Sequence, residues 1–232
     1  MAEHDEDVAV EKVVAGCRVL GAGDYGDPVW GHVSLRDPAA RGLWMKAGPR
    51  GFDEVGAADV VLIDLDGDRL AGEGSVPFEY PIHTEVLRAR PDVGSVVHCH
   101  APFSIALAAT GQDLIAFSNG AGPFSGGVPR FEQPIGLIRT RELGEALAQT
   151  LGSARALFLV GHGLVAVGSS VETAVAATVL LERAAELQLL AAAAGGVAPE
   201  LRHPGDRYAH TQSDAYLLRT WDHLDRKVKA AR

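Results

Sequence analysis

Apolar positions recur at helical spacing from Val8 to Leu20, where Val10, Val13, Val14, Cys17 and Leu20 share one face and Gly21-Ala22-Gly23 closes the run. The period then shortens. Val29-Trp30-Gly31-His32-Val33-Ser34-Leu35-Arg36 alternates like a strand, and Leu43-Trp44-Met45 reads as a short second one between Gly42 and Gly48-Pro49. Asp59 to Asp66 is a third strand run, turned by Gly67-Asp68. Helical spacing returns over Pro81 to Arg90, with Ile82, Val86 and Leu87 on one side, and Pro91-Asp92 stops it.

Val93 to His100 is the next strand, followed by a helix of small residues from Phe103 to Ala109. Gly120 to Pro134 holds four glycines and three prolines, which predicts an ordered loop or lid. Thr140 caps a helix that runs to Leu151 with Leu143, Ala146 and Leu147 inward. Ala156 to Val160 is a buried strand leading directly into Gly161-His162-Gly163, and the longest helix runs from Val171 to Ala194, where Gly195-Gly196 ends it. A polar segment with Tyr208, Tyr216 and Trp221 leads to a basic C-terminus. Helices interspersed with strands, without internal repeat or linker, predict one layered domain of mixed α and β structure over 1–232, with 195–232 as a tail. The direction of the strands is not readable from this pattern.

Composition narrows the class of protein. The 232 residues are 47% hydrophobic and 22% charged, ordinary values for a folded, soluble chain with a sizeable core. Lys and Arg number 21 against 30 Asp and Glu, a net charge of −9, which argues against nucleic acid and anionic membranes as partners. The first residues, Met1-Ala2-Glu3-His4-Asp5-Glu6-Asp7, are acidic where a secretory signal is basic, and no stretch reads as a membrane span, so the expected location is cytoplasmic. The two cysteines, Cys17 and Cys99, do not indicate a disulfide framework.

The candidate chemistry centres on His98-Cys99-His100. Alternate side chains of a strand point the same way, so the two imidazoles share a face with β-carbons roughly 6 to 7 Å apart, and Cys99 points to the opposite face for core packing. Such a pair suits a metal site or a buried pair satisfied within a core. His162, flanked by glycines just past a buried strand, is either a third ligand or a turn residue. Three neutral imidazoles with an open position suit one Zn²⁺, Mn²⁺, Co²⁺ or Fe²⁺. Glu79, in Val76-Pro77-Phe78-Glu79-Tyr80-Pro81, is the leading acid/base because burial there would raise its pKa and let it shuttle a proton; the other reading is a solvated loop carboxylate.

Taken together, Gly31-His32-Val33-Ser34-Leu35-Arg36, Phe52-Asp53-Glu54-Val55 with Val61 to Gly67, Glu79 through His83 and Arg90-Pro91-Asp92 to His98-Cys99-His100-Ala101-Pro102, and Gly161-His162-Gly163 resemble the class II aldolase/adducin family. The resemblance spans about residues 8 to 190, and the ordered series is more specific than any one motif. It implies a three-layer α/β/α sandwich around a mainly antiparallel sheet. It further implies one catalytic divalent metal per subunit on His98, His100 and His162, Glu79 as acid/base, and a homotetramer or other homo-oligomer.

Departures from the sugar-phosphate aldolases of that family shift the expected reaction. Their Gly-Asn-Val-Ser element carries His32 here, their Thr-Pro-Ser-Gly phosphate loop is replaced by Met45-Lys46-Ala47-Gly48, and the serine pair before the glutamate is Pro77-Phe78. Donors that would cradle a phosphate are missing. The motifs look like those of the family's aromatic dicarboxylate decarboxylases. The expected substrate is a small hydroxylated aromatic carboxylate, contacted by Gly31, His32 and Lys46, with His32 and Lys46 alternatively plain surface residues. Aldolase or epimerase action on a hydroxy-ketone, an Fe²⁺ oxygenase, and a non-catalytic adducin-like interaction module are the competing readings.

Overall fold

The computed structural model describes residues 2–23, 25, 28–133, 136–202 and 205–231. Helix α1 (Ala2–Gly21) leads into strands β1 (His32–Arg36), β2 (Leu43–Lys46), β3 (Val60–Ile63) and β4 (Arg69–Ala71). Helix α2 (Tyr80–Ala89), strand β5 (Ser95–Cys99), helix α3 (Pro102–Ala109) and strand β6 (Arg130–Phe131) follow. The chain then forms α4 (Arg141–Leu151), β7 (Ala156–Leu159), β8 (Gly163–Gly168), α5 (Val171–Ala193) and α6 (Asp214–Ala230).

The strands form one sheet in the order β4-β3-β2-β1-β5-β8-β7-β6. All neighbouring pairs are antiparallel except β6 with β7. Alternation along each strand builds two separate cores. Val33, Trp44, Val97, Cys99, Phe158 and Leu164 pack with α1, α3, α5 and α6 on one face. Leu43, Met45, Val61, Val96, Leu157 and Val165 pack with α2 and α4 on the other. The result is the α/β/α sandwich with a mainly antiparallel sheet that the motif series implied. No helix among the described residues is long and apolar enough to cross a membrane.

Several elements differ from the pattern-based reading. Strand β1 starts at His32 rather than Val29, because Gly31 at φ +98° breaks the extended run. Strand β8 follows the histidine turn with only three residues between it and β7, too short an interval for periodicity to divide. The expected ordered loop or lid is an ordered segment built into the fold: Asn119–Phe124 is a 3-10 turn packed against α5, and Arg130–Phe131 pairs with β7 at the sheet edge, while Pro134 lies outside the described residues. Beyond residue 195 the polar segment contains α6, whose Leu217 is fully buried against the α5 face.

The buried carboxylate of Glu182 on α5 caps α3. It accepts hydrogen bonds of 2.8 Å from the Phe103 and Ser104 backbone N–H groups and from Ser104 Oγ. Negative charge at a helix N-terminus satisfies otherwise orphaned donors, and here it fixes the chain just past His100. Glu182→Ala strips three donors of their acceptor and is expected to cost about 2–4 kcal/mol. That corresponds to a melting temperature lower by roughly 5–10 °C in a thermal denaturation scan, and a shift under about 2 °C would deny the cap its role.

Candidate metal centre

Strand β5 lies between β1 and β8, with His98 opposite His32 on one side and Val165 on the other. His98 Nδ1 sits 3.0 Å from the Leu164 carbonyl oxygen. A carbonyl only accepts, so Nδ1 carries the proton and Nε2 presents a bare lone pair. His100 stands just past the strand end, where its N–H donates to Tyr25 O at 3.1 Å. His162 occupies the turn between β7 and β8, pinned by its own N–H to Leu159 O at 3.0 Å. A Cβ on Gly163 would fall 2.4 Å from Cys99 O, so only glycine lets this turn close against the end of β5.

Three strand ends thereby converge. The imidazole centroids of His98, His100 and His162 are 5.1, 4.9 and 4.9 Å apart, each pair edge to face. Glu79, the residue that opens α2, completes the cluster: its Oε2 is 3.6 Å from both His98 Nε2 and His162 Nε2. The donor atoms of the four residues lie within 4.8 Å of one another. Nε2 of His98 and of His162 are buried without a hydrogen-bond partner, a state that costs free energy unless something satisfies them. Imidazole and carboxylate donors at this spacing suit a divalent ion such as Zn²⁺, Mn²⁺, Co²⁺ or Fe²⁺, so the residues present fit the group.

The electrostatics of Glu79 correct one expectation. Burial does push its carboxyl up, but the facing imidazoles of His162 and His98 outweigh that and hold it well below the usual carboxylate range. Its Oε1 accepts the Ile138 N–H at 2.8 Å, leaving Oε2 toward the histidines. Positive charge on those rings, or a divalent ion in place of their protons, keeps Glu79 ionised. Nothing in local sequence signals Ile138, which lies 59 residues further along the chain.

A cleft of about 510 Å³ opens beside the cluster, lined by Val29, Trp30, His32, Pro49, Val76, Pro77, Phe78, Leu137 and the edges of Glu79, His100 and His162. His32 thus reaches the cleft, and burial pushes its pKa well below the ordinary value. Behind it stands His83, ring centroid 5.7 Å away, with Nδ1 2.8 Å from Ser34 Oγ and its pKa pushed down to about 3 by burial. Motif reading used His83 only as a landmark.

Other expected contacts lie elsewhere. Gly31 does not line the cleft; at φ +98° its bare Cα faces Phe52, where a Cβ would come within 2.9 Å. Lys46 is fully buried on the opposite side of the sheet, donating to Val29 O at 3.2 Å above the Phe52 ring, and burial lowers its pKa. It supports the cleft wall from behind. Among the described residues of 120–133 none lines the cleft, and Tyr208 donates its hydroxyl to Phe117 O at 2.7 Å.

A layered α/β/α sheet with three histidines and a carboxylate gathered at strand ends is the build of a class II, metal-using aldolase-type protein. The chain belongs to that family: residues 11–189 match the Class II Aldolase and Adducin N-terminal domain. It is 35% identical over 205 residues to a 3,4-dihydroxyphthalate decarboxylase of Arthrobacter keyseri, covering 83% of this chain and 82% of that protein. A 3,4-dihydroxyphthalate decarboxylase of a Terrabacter species is 38% identical over 200 residues, covering 82% and 83%. The L-fuculose 1-phosphate aldolase from Glaciozyma antarctica superposes with a TM-score of 0.86 over 100% of this chain and 92% of its own, at 22% identity, a likeness of fold.

The geometry predicts that His98→Ala and His162→Ala each weaken Mn²⁺ or Zn²⁺ binding at least about tenfold. Metal analysis of dialysed protein with calorimetric titration checks this, and undiminished metal content in both variants would remove the cluster as the site.

Proposed function

We propose that this protein is a divalent-metal-dependent carbon–carbon lyase that decarboxylates a hydroxylated aromatic carboxylate of the dihydroxyphthalate type. The observation that carries the reading is the four-residue donor cluster of Glu79, His98, His100 and His162 opening onto an apolar cleft. Two relatives that are dihydroxyphthalate decarboxylases at 35% and 38% identity support the substrate class. Sugar-phosphate chemistry fits the cleft less well, since Pro77 and Phe78 stand where hydroxyl donors would be needed. We further propose that residues 1–232 act as one cytoplasmic catalytic domain in a homo-oligomer.

His98, His100 and His162 would hold a divalent ion, which would supply Lewis-acid stabilisation of the negative charge that develops on a substrate oxygen. Glu79 manages the proton. Held by Ile138 N–H through Oε1, it uses Oε2 to take the proton of the ortho-hydroxyl and returns it to the ring carbon bearing the carboxylate. The carbon–carbon bond then breaks, its electron pair returns to the ring and its oxygen, CO₂ leaves, and water reprotonates the phenolate. A carboxylate ionised at rest suits this order, in which it acts first as base and then as acid. His32 supplies a polar contact in a mostly apolar wall that also holds Ser75, whose hydroxyl donates to Gly48 O at 2.7 Å, and Phe78 would lie against the ring.

Glu79→Gln is expected to keep its metal while CO₂ release falls by about 10²–10⁴. The assay uses ortho-hydroxylated aromatic dicarboxylates with Mn²⁺, Co²⁺, Zn²⁺ or Fe²⁺ added. Near-normal turnover would take Glu79 out of the mechanism. Silence of the wild type across the panel with cleavage of a hydroxy-ketone would replace decarboxylase by aldolase, and O₂ consumption would point to an oxygenase.

A further inference from the structure

An aromatic dicarboxylate brings two negative groups, and only one can leave. The other needs a cation, yet among the described residues lining the cleft none is Lys or Arg. Lys46 is committed on the far side of the sheet to Val29 O. Arg50, beside the lining residue Pro49, is already paired with Asp59 Oδ1 at 3.1 Å.

Arg139 is placed differently. Its guanidinium carbon lies 4.9 Å from the centroid of Phe78, a cleft-lining ring that is 69% exposed. Among the described residues no carboxylate pairs with Arg139. A guanidinium stacked on a ring still presents its N–H edges outward, in a fork that matches a carboxylate. The stack is also indexed to the reacting group: Phe78 precedes Glu79, Arg139 follows Ile138, and the Ile138 N–H holds Glu79 Oε1 at 2.8 Å. Two adjacent pairs of residues are thus joined twice, once by a hydrogen bond and once by a cation–π contact, which fixes the cation relative to Glu79 Oε2.

We propose that Arg139 and Phe78 form the subsite for the carboxylate that is retained. Phe78 packs on the substrate ring, Arg139 pairs with the second carboxylate, and the pair makes the protein selective for aromatic dicarboxylates over monocarboxylates. The proposal rests on the decarboxylase reading for its biological substrate, but the charge recognition it describes is measurable as binding alone.

The test compares wild type, Arg139→Gln and Arg139→Lys as metal-loaded full-length protein. Calorimetry measures binding of phthalate and of benzoate, and CO₂ release is measured in parallel from 3,4-dihydroxyphthalate and from an ortho-hydroxylated benzoate. Arg139→Gln is expected to weaken phthalate binding by about tenfold or more while changing benzoate by less than about twofold, with Arg139→Lys between. Equal losses for both ligands, no loss, or a wild type that does not discriminate between them would overturn the subsite. So would a change in sedimentation that accounts for the loss, since Arg139 would then serve a subunit contact. Selective loss of phthalate binding without CO₂ release by the wild type would keep the subsite and overturn the decarboxylase reading instead. Arg139 is exposed and outside both cores, so the variants are expected to fold, which circular dichroism checks.

Discussion

The hydrogen bond from His98 Nδ1 to the Leu164 carbonyl decides whether this cluster can hold a metal. A histidine that donates from Nδ1 leaves Nε2 as the lone-pair side, and here that side faces Glu79 and His162. The bond crosses from β5 to β8, so it exists only in the register that pairs Cys99 with Leu164 and His98 with Val165. That register in turn requires the chain to turn back beside Cys99 at Gly163, where a side chain has no room. Strand pairing, ligand orientation and the position of His162 are therefore one constraint.

Glu79 shows how the same convergence sets charge. An apolar cleft by itself favours a neutral carboxyl, and the flanking Pro77, Phe78 and Pro81 point that way. Two imidazoles at 3.6 Å reverse the balance where they carry positive charge, because charge interactions strengthen as water is excluded. Aromatic and proline neighbours in sequence describe only the first of these terms. The second depends on strands β5 and β8 arriving beside α2, which no local pattern contains.

The family and the sandwich were readable because their signals are short-range: two histidines on one strand face, glycines around a third, and helices alternating with strands. Lys46 was misplaced for a reason the sheet makes plain. Ser34 pairs with Met45, and paired residues share a face, so His32 shares its face with the position of Ala47 rather than Lys46. A shift of one residue in register moves a side chain through the sheet, and alternation alone does not fix register between strands. The wall formed by Leu137 and the anchor at Ile138 were invisible for a related reason, since they come from a loop that reaches Glu79 through a backbone N–H. Helix α6 was hidden by its polarity, its one fully buried position being Leu217.

The apolar walls bear on which reaction suits the site. Moving a carboxylate out of water into a cleft bounded by Val29, Trp30, Val76, Phe78 and Leu137 is costly where no partner meets it. CO₂ carries no charge and loses nothing comparable. A wall of this kind raises the free energy of the ionised reactant relative to the transition state, in which charge has moved from the departing carboxylate into the ring and its oxygen. Negative charge accumulating on that oxygen would be stabilised at the histidine end, where His98, His100 and His162 would hold a divalent ion. A phosphate substrate would keep its charges throughout and gain nothing from such walls. The distribution of polarity, with donors at one end and hydrocarbon around the rest, thus favours a reaction that relocates one negative charge along the substrate and releases a neutral molecule.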